Sequence, residues 1–374
     1  MSEVAVTWRE GSAERSAYWL GVSSPPPRRV GTADDRTTAA VALARVRSGE
    51  ALVYTGDFRN ARQLLAAMSR RLEGRRPTGR DPATLWRAER EHRRREHDLL
   101  GRILVPIEEG FRVPLRHAPD VATPMAEAVG PEARVPGLLP LRDLLGMVGA
   151  HEWRRKGVAV PALEARVHPH YGVYAPVRGE YVELVADAVR SWPVEGKRVL
   201  DAGTGTGVLA FVLARAGAHV VATDIEPRAV ACARDNASRL GLGDRVEVLE
   251  ADLFPDGGAS FDLVVSNPPW LPDVARSPLE RAVYDPEGSF LARLLATVPQ
   301  RLAPGGEAWI VISDLAERLG LRPMDAIEVL AQRAGLRIAD VRETRPSHAR
   351  AADTRDPLHR FRAAELTRLF RLVP

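Results

Sequence analysis

The stretch RVLDAGTGTGVLA, residues 198–210, decides the fold of this chain. It joins a short apolar run that ends in Asp201 to a helical pattern, through a turn that contains Gly203, Gly205 and Gly207. Glycines at such a turn let the backbone change direction sharply and approach a ligand closely, and the helix that follows offers free N–H groups. The stretch therefore predicts a strand, a tight glycine loop and a helix. By itself, a loop of this kind does not identify the ligand.

The same alternation of strand and helix continues to the end of the sequence. Further strands are predicted at HVVATD (219–224), RVEVLEAD (245–252), FDLVVSN (261–267), EAWIVISD (307–314), LRIADVRE (336–343) and LTRLFRLV (366–373), and helical segments separate most of them. Alternating strands and helices favour a sheet that is mostly parallel, with helices on both faces. The predicted fold class is α/β, with a doubly wound, Rossmann-like domain.

The chain ahead of this region predicts a second, smaller domain. We place the boundary so that residues 1–150 form an N-terminal domain, helical or α/β, and residues 151–374 form the catalytic domain. The apolar spacing predicts a helix over 34–47, a strand over 51–56 and a helix over 60–72. Three consecutive prolines in SSPPPRR predict an extended arm up to about residue 29, and recurrent prolines predict a loop-rich connector over about 105–140.

Composition excludes several classes of protein. The 374 residues contain a single cysteine, Cys232, so neither a disulfide framework nor a thiolate zinc site is expected. His168 and His170 have no companion ligands nearby, and no metal site is predicted. No run of about 18 apolar residues and no leader pattern occurs, so we expect a cytoplasmic protein without a membrane segment.

The charge of the chain is unevenly distributed. Lys and Arg number 53 against 49 Asp and Glu, yet residues 70–102 alone hold eleven Arg against six acids. Two interpretations of this Arg-rich segment stay open, a solvated helix and an electrostatic footprint for phosphate or an acidic partner.

Acidic residues end the second and third predicted strands. Asp224 lies 21 residues after Gly203, with Ile225 beside it, where a carboxylate can accept both ribose hydroxyls of a nucleoside. Asp252 follows the third strand, where it can accept from an adenine amino group while Leu253 packs on the ring. Together with the glycine loop, these positions predict a ligand that contains adenosine, either a dinucleotide or S-adenosylmethionine.

The turn Asn267-Pro268-Pro269-Trp270, at the end of the fourth strand, favours the second ligand. The Asn267 side-chain oxygen and the Pro268 carbonyl can both accept hydrogen bonds from an NH₂ group. The prolines hold these acceptors rigid and supply no competing N–H donors, and the indole offers a flat face for stacking. A dehydrogenase has no use for this turn, whereas methyl transfer to a planar nitrogen does.

With these motifs, residues 168–315 resemble the class I S-adenosylmethionine-dependent methyltransferases. Within that family they are similar to the amino-methylating branch, which includes release-factor glutamine methyltransferases and ribosomal RNA guanine-N2 methyltransferases. The resemblance rests on VLDAGTGTGVLA, VVATDIEPRAVACARDNASRLGL, DRVEVLEADLF, FDLVVSNPPWLP and LAPGGEAWIVI. It departs at Trp270, where the glutamine methyltransferases usually carry tyrosine, and at residues 174–180, which match their segment mainly in Pro176.

The resemblance implies S-adenosyl-L-methionine as the cofactor and assigns residues to it. The catalytic set is Asn267, Pro268, Pro269 and Trp270. The cofactor set is Asp201, Gly203, Thr204, Gly205, Gly207, Asp224, Ile225, Asp252, Leu253 and Asn267. We expect Tyr174, Arg178 and Tyr284 to border the substrate.

The predicted function is S-adenosylmethionine-dependent N-methylation of a planar amino nitrogen in a macromolecule. The acceptor is a ribosomal RNA base or a glutamine-type amide of a protein, which makes a protein, an RNA or a ribosome-associated target the expected partner. Two alternatives stay open, an N-methyltransferase of a small molecule or peptide natural product and a non-catalytic scaffold that binds S-adenosylmethionine. The sequence does not predict the oligomeric state.

Overall fold

The computed structural model describes residues 4–74, 77–346 and 353–374, and the chain forms two compact units. The first unit contains Met1–Gly79 and Thr84–Glu152, and the second contains Arg80–Ala83 and Trp153–Pro374. Arg75 and Arg76, which belong to the predicted Arg-rich segment, lie outside the described residues.

The first unit is built around a six-stranded sheet with the order β1-β2-β6-β5-β4-β3. Strands β3, β4 and β5 are parallel, and β1–β2 is an antiparallel hairpin. The strands are β1 Ala5–Glu10, β2 Ala13–Trp19, β3 Val30–Ala33, β4 Ala51–Tyr54, β5 Ile103–Ile107 and β6 Gly137–Pro140. The helices are α1 Ala39–Arg47, α2 Phe58–Glu73, α3 Pro82–Leu100, α4 Ala122–Val129 and α5 Leu141–Lys156, of which α3 begins and α5 ends with residues of the second unit.

The predicted N-terminal arm is wrong, because residues 5–19 form the β1–β2 hairpin at one edge of this sheet. Val6 and Trp8 on one strand, and Ala17 and Trp19 on the other, are buried and alternate with residues that are exposed or partly exposed. This spacing of two is the strand pattern. The prolines that suggested an arm follow the hairpin and do not interrupt it.

The predicted connector over 105–140 is wrong, because the stretch lies inside the first unit, whereas the predicted loops are found over most of 108–121 and 130–136. Strand β5 lies inside the sheet between β4 and β6, and Ile103, Leu104 and Val105 are fully buried. A strand buried on both faces reads as a continuous apolar run without alternation, so the frequent prolines around it dominated the sequence pattern. The stretch therefore supplies core strands of the first unit.

The second unit contains a seven-stranded sheet with the order β11-β10-β9-β12-β13-β15-β14. Strands β9 to β13 are parallel, while β15 runs antiparallel to both of its neighbours. The strands are β9 Arg198–Ala202, β10 His219–Asp224, β11 Val246–Glu250, β12 Phe261–Ser266, β13 Leu302–Ser313, β14 Arg337–Thr344 and β15 Thr367–Val373, and a separate pair is β7 Val158–Val160 with β8 Ala165–Val167. The helices are α6 Glu180–Ser191, α7 Val208–Arg215, α8 Pro227–Arg239, α9 Pro278–Arg281, α10 Ser289–Arg301, α11 Leu315–Arg318, α12 Ala326–Arg333 and α13 His359–Ala363.

Helices cover both faces of this sheet and produce two apolar cores. Helices α6, α7 and α8 pack on one face around Val185, Phe211 and Val230, and α10 and α12 pack on the other around Leu294 and Ile327. The prediction of a doubly wound, Rossmann-like α/β domain is confirmed. Within the described ranges, no helix combines the length and the apolar character that crossing a membrane requires.

Candidate cofactor and acceptor site

The glycine loop after β9 folds against the end of the neighbouring strand β10. The N–H groups of Gly203 and Thr204 both donate to the Thr223 carbonyl at 2.9 Å. Gly207 has φ +89°, and a Cβ there would stand 2.2 Å from the Phe211 ring, so only glycine fits. At Gly205, with φ +56°, no heavy atom of the described chain lies within 4 Å of the Cβ position, apart from the adjoining residues. At Gly205 the loop therefore presents open space over bare backbone, as close approach of a ligand requires.

Asp201 lies behind the loop and is buried, with only 1% of the residue exposed. Its carboxylate accepts from the Thr204 hydroxyl at 2.6 Å and from the Ala210 N–H at 3.2 Å. Burial raises the pKa of Asp201 to about 6. Asp201 and Thr204 were predicted to bind the cofactor, and this stays a prediction; in the structure the Thr204 hydroxyl is bonded to the Asp201 carboxylate, which helps to hold the loop.

Asp224 ends β10 beside the open space at Gly205. One carboxylate oxygen accepts from the Gly205 N–H and the other from the Glu226 N–H, each at 2.9 Å. Burial raises the pKa of Asp224, and the two N–H donors oppose this. Each oxygen keeps a lone pair for a further donor such as a ribose hydroxyl. The adjacent Ile225 is 59% exposed and offers an apolar surface.

The predicted adenine residues lie on the turn after β11. The Thr223 hydroxyl donates to the Leu253 carbonyl at 2.6 Å, which ties this turn to β10. Asp252 is half exposed and pairs with Arg293 of α10, so an incoming amino group would compete with that guanidinium. The Leu253 side chain packs into the core on the α10 face, and its predicted contact with the adenine ring stays a prediction.

The turn Asn267-Pro268-Pro269-Trp270, here called the acceptor turn, lies next to the glycine loop because a hydrogen bond joins the ends of β12 and β9. The buried Ser266 hydroxyl donates to the Ala202 carbonyl at 2.7 Å. Beyond it, the Trp270 indole N–H donates to the Asn267 side-chain oxygen at 2.8 Å. An indole nitrogen only donates, so this bond fixes which end of the Asn267 amide faces Trp270. One lone pair of that oxygen is used, and one is left for a substrate N–H.

Trp270 is covered on one face by an arginine. The Arg178 guanidinium lies 4.5 Å from the indole centroid, in the range of a cation–π contact. Two carboxylates hold it there, Glu180 at 2.6 Å and Glu365 at 2.9 Å. Arg178 was predicted to border the substrate, and in the structure its charge is already paired. A stacked acceptor would use the opposite face of the indole.

Tyr174 and Tyr284, the other predicted substrate residues, lie in the same neighbourhood. Burial raises the pKa of the Tyr174 phenol, on which Arg178, Glu365 and Tyr284 act electrostatically. Tyr284 is held to the acceptor turn by a backbone bridge to Leu271. The structure therefore brings all three predicted substrate residues close to Trp270.

Comparison with known proteins agrees with this geometry. The "Methyltransferase small domain" family matches residues 182–339. The release factor glutamine methyltransferase of Deinococcus radiodurans is 35% identical over 48% of this chain and 67% of its own length. This chain belongs to the class I S-adenosylmethionine-dependent methyltransferases. A tRNA1(Val) (adenine(37)-N6)-methyltransferase of Bacteroides thetaiotaomicron is 36% identical over 33% of this methyltransferase and 54% of its own length.

These matches are partial. This methyltransferase spans 61% of the release factor glutamine methyltransferase of Gloeobacter violaceus, at 33% identity over 46% of its own length. The solved ribosomal protein L11 methylase of Lactobacillus delbrueckii subsp. bulgaricus aligns with 56% of the chain and 85% of its own, at 19% identity and a TM-score of 0.38. That likeness is too distant to bear on function. The predictions of a methyltransferase and of its cofactor, S-adenosyl-L-methionine, are confirmed by the family match.

The residues at the strand ends fit that cofactor. The open space at Gly205 accepts a ligand against the backbone, and Asp224 points two oriented oxygens at the same edge of the sheet. Ile225 supplies an exposed apolar surface beside them. Gly203, Gly205, Asp224 and Ile225 would hold the cofactor, which supplies a methyl group already activated on a sulfonium.

Neither predicted histidine belongs to a metal cluster among the described residues, where no group of three or more potential ligands occurs. The His170 ring lies 3.1 Å from the Asp235 carboxylate on α8, and His168 Nδ1 lies 2.6 Å from the Arg154 carbonyl. Cys232 is buried in the same place, as its apolar surroundings predict. The His170 contact ties the segment ahead of α6 to α8, and the His168 contact ties it to the end of α5.

Sequence reasoning missed Glu180 and Glu365. Glu365 is 1% exposed and lies 187 positions from Arg178 in the chain, and it also accepts from the Ser313 hydroxyl at 2.6 Å. One signal was available. Strands β14 and β15 are antiparallel neighbours paired at Thr344 and Thr367, which a short turn could join, yet residues 345–366 lie between them. The excess length carries Glu365 to the acceptor turn.

Proposed function

We propose that this methyltransferase methylates a planar amino nitrogen of a macromolecule, either a side-chain amide of a protein or an amino group of an RNA base. The observation that carries this proposal is the turn from Asn267 to Trp270, joined through Ser266 to the end of β9 and hence to the glycine loop. The named relatives support it, since one acts on a glutamine of a release factor and another on adenine N6 of a tRNA.

Methyl transfer requires the protein to orient the acceptor more than to supply a general acid or base. The methyl group is activated by the sulfonium, so the main barrier is the alignment of the acceptor lone pair. The remaining lone pair of the Asn267 oxygen and the Pro268 carbonyl accept the two N–H bonds of the acceptor. This arrangement turns the nitrogen lone pair toward the methyl carbon. Bound S-adenosylmethionine would supply the methyl group from its sulfonium, and one amino proton of the acceptor would pass to water.

The first unit then serves substrate capture. We assign the predicted N-terminal domain, residues 1–150, to recognition of the acceptor macromolecule, and residues 151–374 to catalysis. The cytoplasmic location rests on the single cysteine and stays a prediction.

Transfer of radiolabelled methyl groups into an extract of cells that lack this gene tests the proposal. We expect the label to be retained by a size filter and to be released by protease or by RNase, which separates the two macromolecular acceptors. Label that passes the filter would contradict a macromolecular acceptor and support the small-molecule alternative. Binding of S-adenosylmethionine without any labelled product would support the scaffold alternative.

Asn267→Ala provides the matched control. We expect it to bind S-adenosylmethionine within about tenfold of wild type, about 1.4 kcal/mol, and to abolish transfer, because it removes an acceptor for the substrate and leaves the glycine loop intact. Calorimetry measures the first quantity and filter-bound label the second. Wild-type turnover in this variant would overturn the role of Asn267.

A further inference from the structure

The net charge of the chain lies entirely in the first unit. That unit holds 23 Arg against 19 Asp and Glu, whereas the second holds 30 basic and 30 acidic residues. The catalytic unit is therefore formally neutral, and the net attraction of the chain for a polyanion comes from the first unit.

The Arg-rich helix α3 does not carry this excess. Its central arginines pair with acids one turn away on the same helix, so most of their charge is compensated locally. The pairs are Arg93 with Glu89, Arg94 with Glu91 and Asp98, and Arg95 with Glu91. This geometry favours the solvated helix over the phosphate footprint for this part of the segment.

Helix α2 presents the opposite arrangement. Arg59, Arg62 and Arg70 are exposed, and at 100° per residue they fall within an arc of about 80°. They lie opposite the buried side that contains Leu64 and Met68. In the part of the chain that the structure describes, none of the three guanidinium groups has an ion pair or side-chain hydrogen bond. Ala66 and the exposed Glu73 also fall within this arc, and Gln63 borders it.

We propose that this α2 arginine face, formed by Arg59, Arg62 and Arg70, binds the phosphate backbone of a structured RNA. The proposal rests on the proposed function and names the class of its macromolecule. Guanidinium groups bind phosphate through paired N–H donors and lose little hydration in doing so. Arg59 and Arg70 are separated by about 16 Å along the helix axis, so the face can follow several phosphates of one strand.

The composition of the face favours RNA over an acidic protein. Protein interfaces depend on a buried aromatic or aliphatic anchor, and α2 exposes no large hydrophobic side chain. Nucleic-acid interfaces are more polar and far more positively charged. The α2 arginine face is polar and positively charged, as nucleic-acid interfaces are.

A pair of matched variants tests the proposal in the full chain. The first changes Arg59, Arg62 and Arg70 to Gln. The control changes Arg15, Arg95 and Arg112 to Gln, which removes the same charge from exposed side chains that are each paired with a carboxylate, Glu10, Glu91 and Glu108 respectively. Gln has nearly the helix propensity of Arg, and circular dichroism verifies that both variants fold.

Fluorescence anisotropy with a labelled RNA hairpin, titrated from 50 to 200 mM salt, gives the affinity and its salt slope. We expect the α2 variant to lose at least tenfold in affinity at low salt and its log–log slope to fall by about 2 to 3, because each lost phosphate contact removes about 0.7 to 0.9. The control should stay within about threefold of wild type. Equal losses in both variants, or no binding by wild type, would overturn the proposal.

Two further measurements distinguish RNA binding by this face from the alternatives. Polyglutamate should compete poorly with the hairpin, and competition at equal charge concentration would identify an acidic protein as the partner instead. Asn267→Ala should bind the hairpin as wild type does. Label found only in protein, together with intact RNA binding by the α2 face, would refute RNA as the acceptor while the face itself stands.

Discussion

Replacing Trp270 with Phe isolates the bond that orients the acceptor amide. The change removes the 2.8 Å hydrogen bond to the Asn267 oxygen and keeps an aromatic ring beneath Arg178. A bond between neutral groups contributes about 0.5 to 1.5 kcal/mol, so loss of the fixed amide orientation should lower kcat by about 2- to 12-fold. The KM for S-adenosylmethionine should not change, because the glycine loop and Asp224 are untouched.

Initial rates of radiolabelled methyl transfer, measured across cofactor concentrations, test this expectation. Trp153→Phe is the matched control, since Trp153 lies half exposed at the surface of the same unit. Trp270→Ala should reduce kcat further, by about another 2- to 30-fold, because it also removes the cation–π contact with Arg178, worth about 0.5 to 2 kcal/mol. Full activity in Trp270→Phe, or a loss that falls on the cofactor KM, would refute the orienting role of the indole N–H.

Three other changes probe the site. Burial places the pKa of Asp201 at about 6, above its usual 3.8, so the folded state favours the protonated form and loses stability as pH rises through 6. Asp201→Asn should remove that loss and raise the free energy of unfolding by up to about 3 kcal/mol above pH 6. An unchanged pH dependence of the variant in a melting series from pH 4 to 8 would contradict this. Asp224→Ala should weaken S-adenosylmethionine binding at least tenfold by calorimetry, whereas an unaltered titration would remove it from the ribose site. Glu365→Ala should lower kcat by about tenfold or more, since a hydrogen bond to a charged group contributes about 1.5 to 3 kcal/mol. Glu365→Gln should restore most of the activity, and a Gln variant as impaired as the Ala variant would contradict the positioning of Arg178 by Glu365.

The sequence predicts those parts of the fold that local patterns encode. Strand β10 is predicted over 219–224 and found at His219–Asp224, because an apolar run between polar ends is visible without its neighbours. The same holds for the glycine loop and the acceptor turn. The insertion of β15 between β13 and β14 is not predicted, because strand pairing depends on contacts between distant parts of the chain.

The misses in the site have the same cause. The bond between Trp270 and Asn267 and the clamp on Arg178 arise only when separate segments meet. From the sequence alone, Arg178 and Trp270 can both be interpreted as substrate contacts. In the folded chain they contact each other, and Arg178 also pairs with two carboxylates that no local motif indicates. Residue type therefore predicts the chemistry available, and tertiary contacts decide how much of it is left for the substrate.

The place of β15 in the sheet also sets the order in which a new polypeptide can be completed. Strand β13 is followed by β14 along the chain, yet β15 is the strand that pairs with both. From the emergence of Ser313 until that of Thr367, the ribosome adds 54 residues, which takes roughly 3 to 11 s at bacterial and eukaryotic elongation rates. Throughout that interval β13 displays an unpaired, strongly apolar edge to every other nascent chain nearby. Yield in the cell should then depend on elongation speed over these codons and on chaperones that shield strand edges.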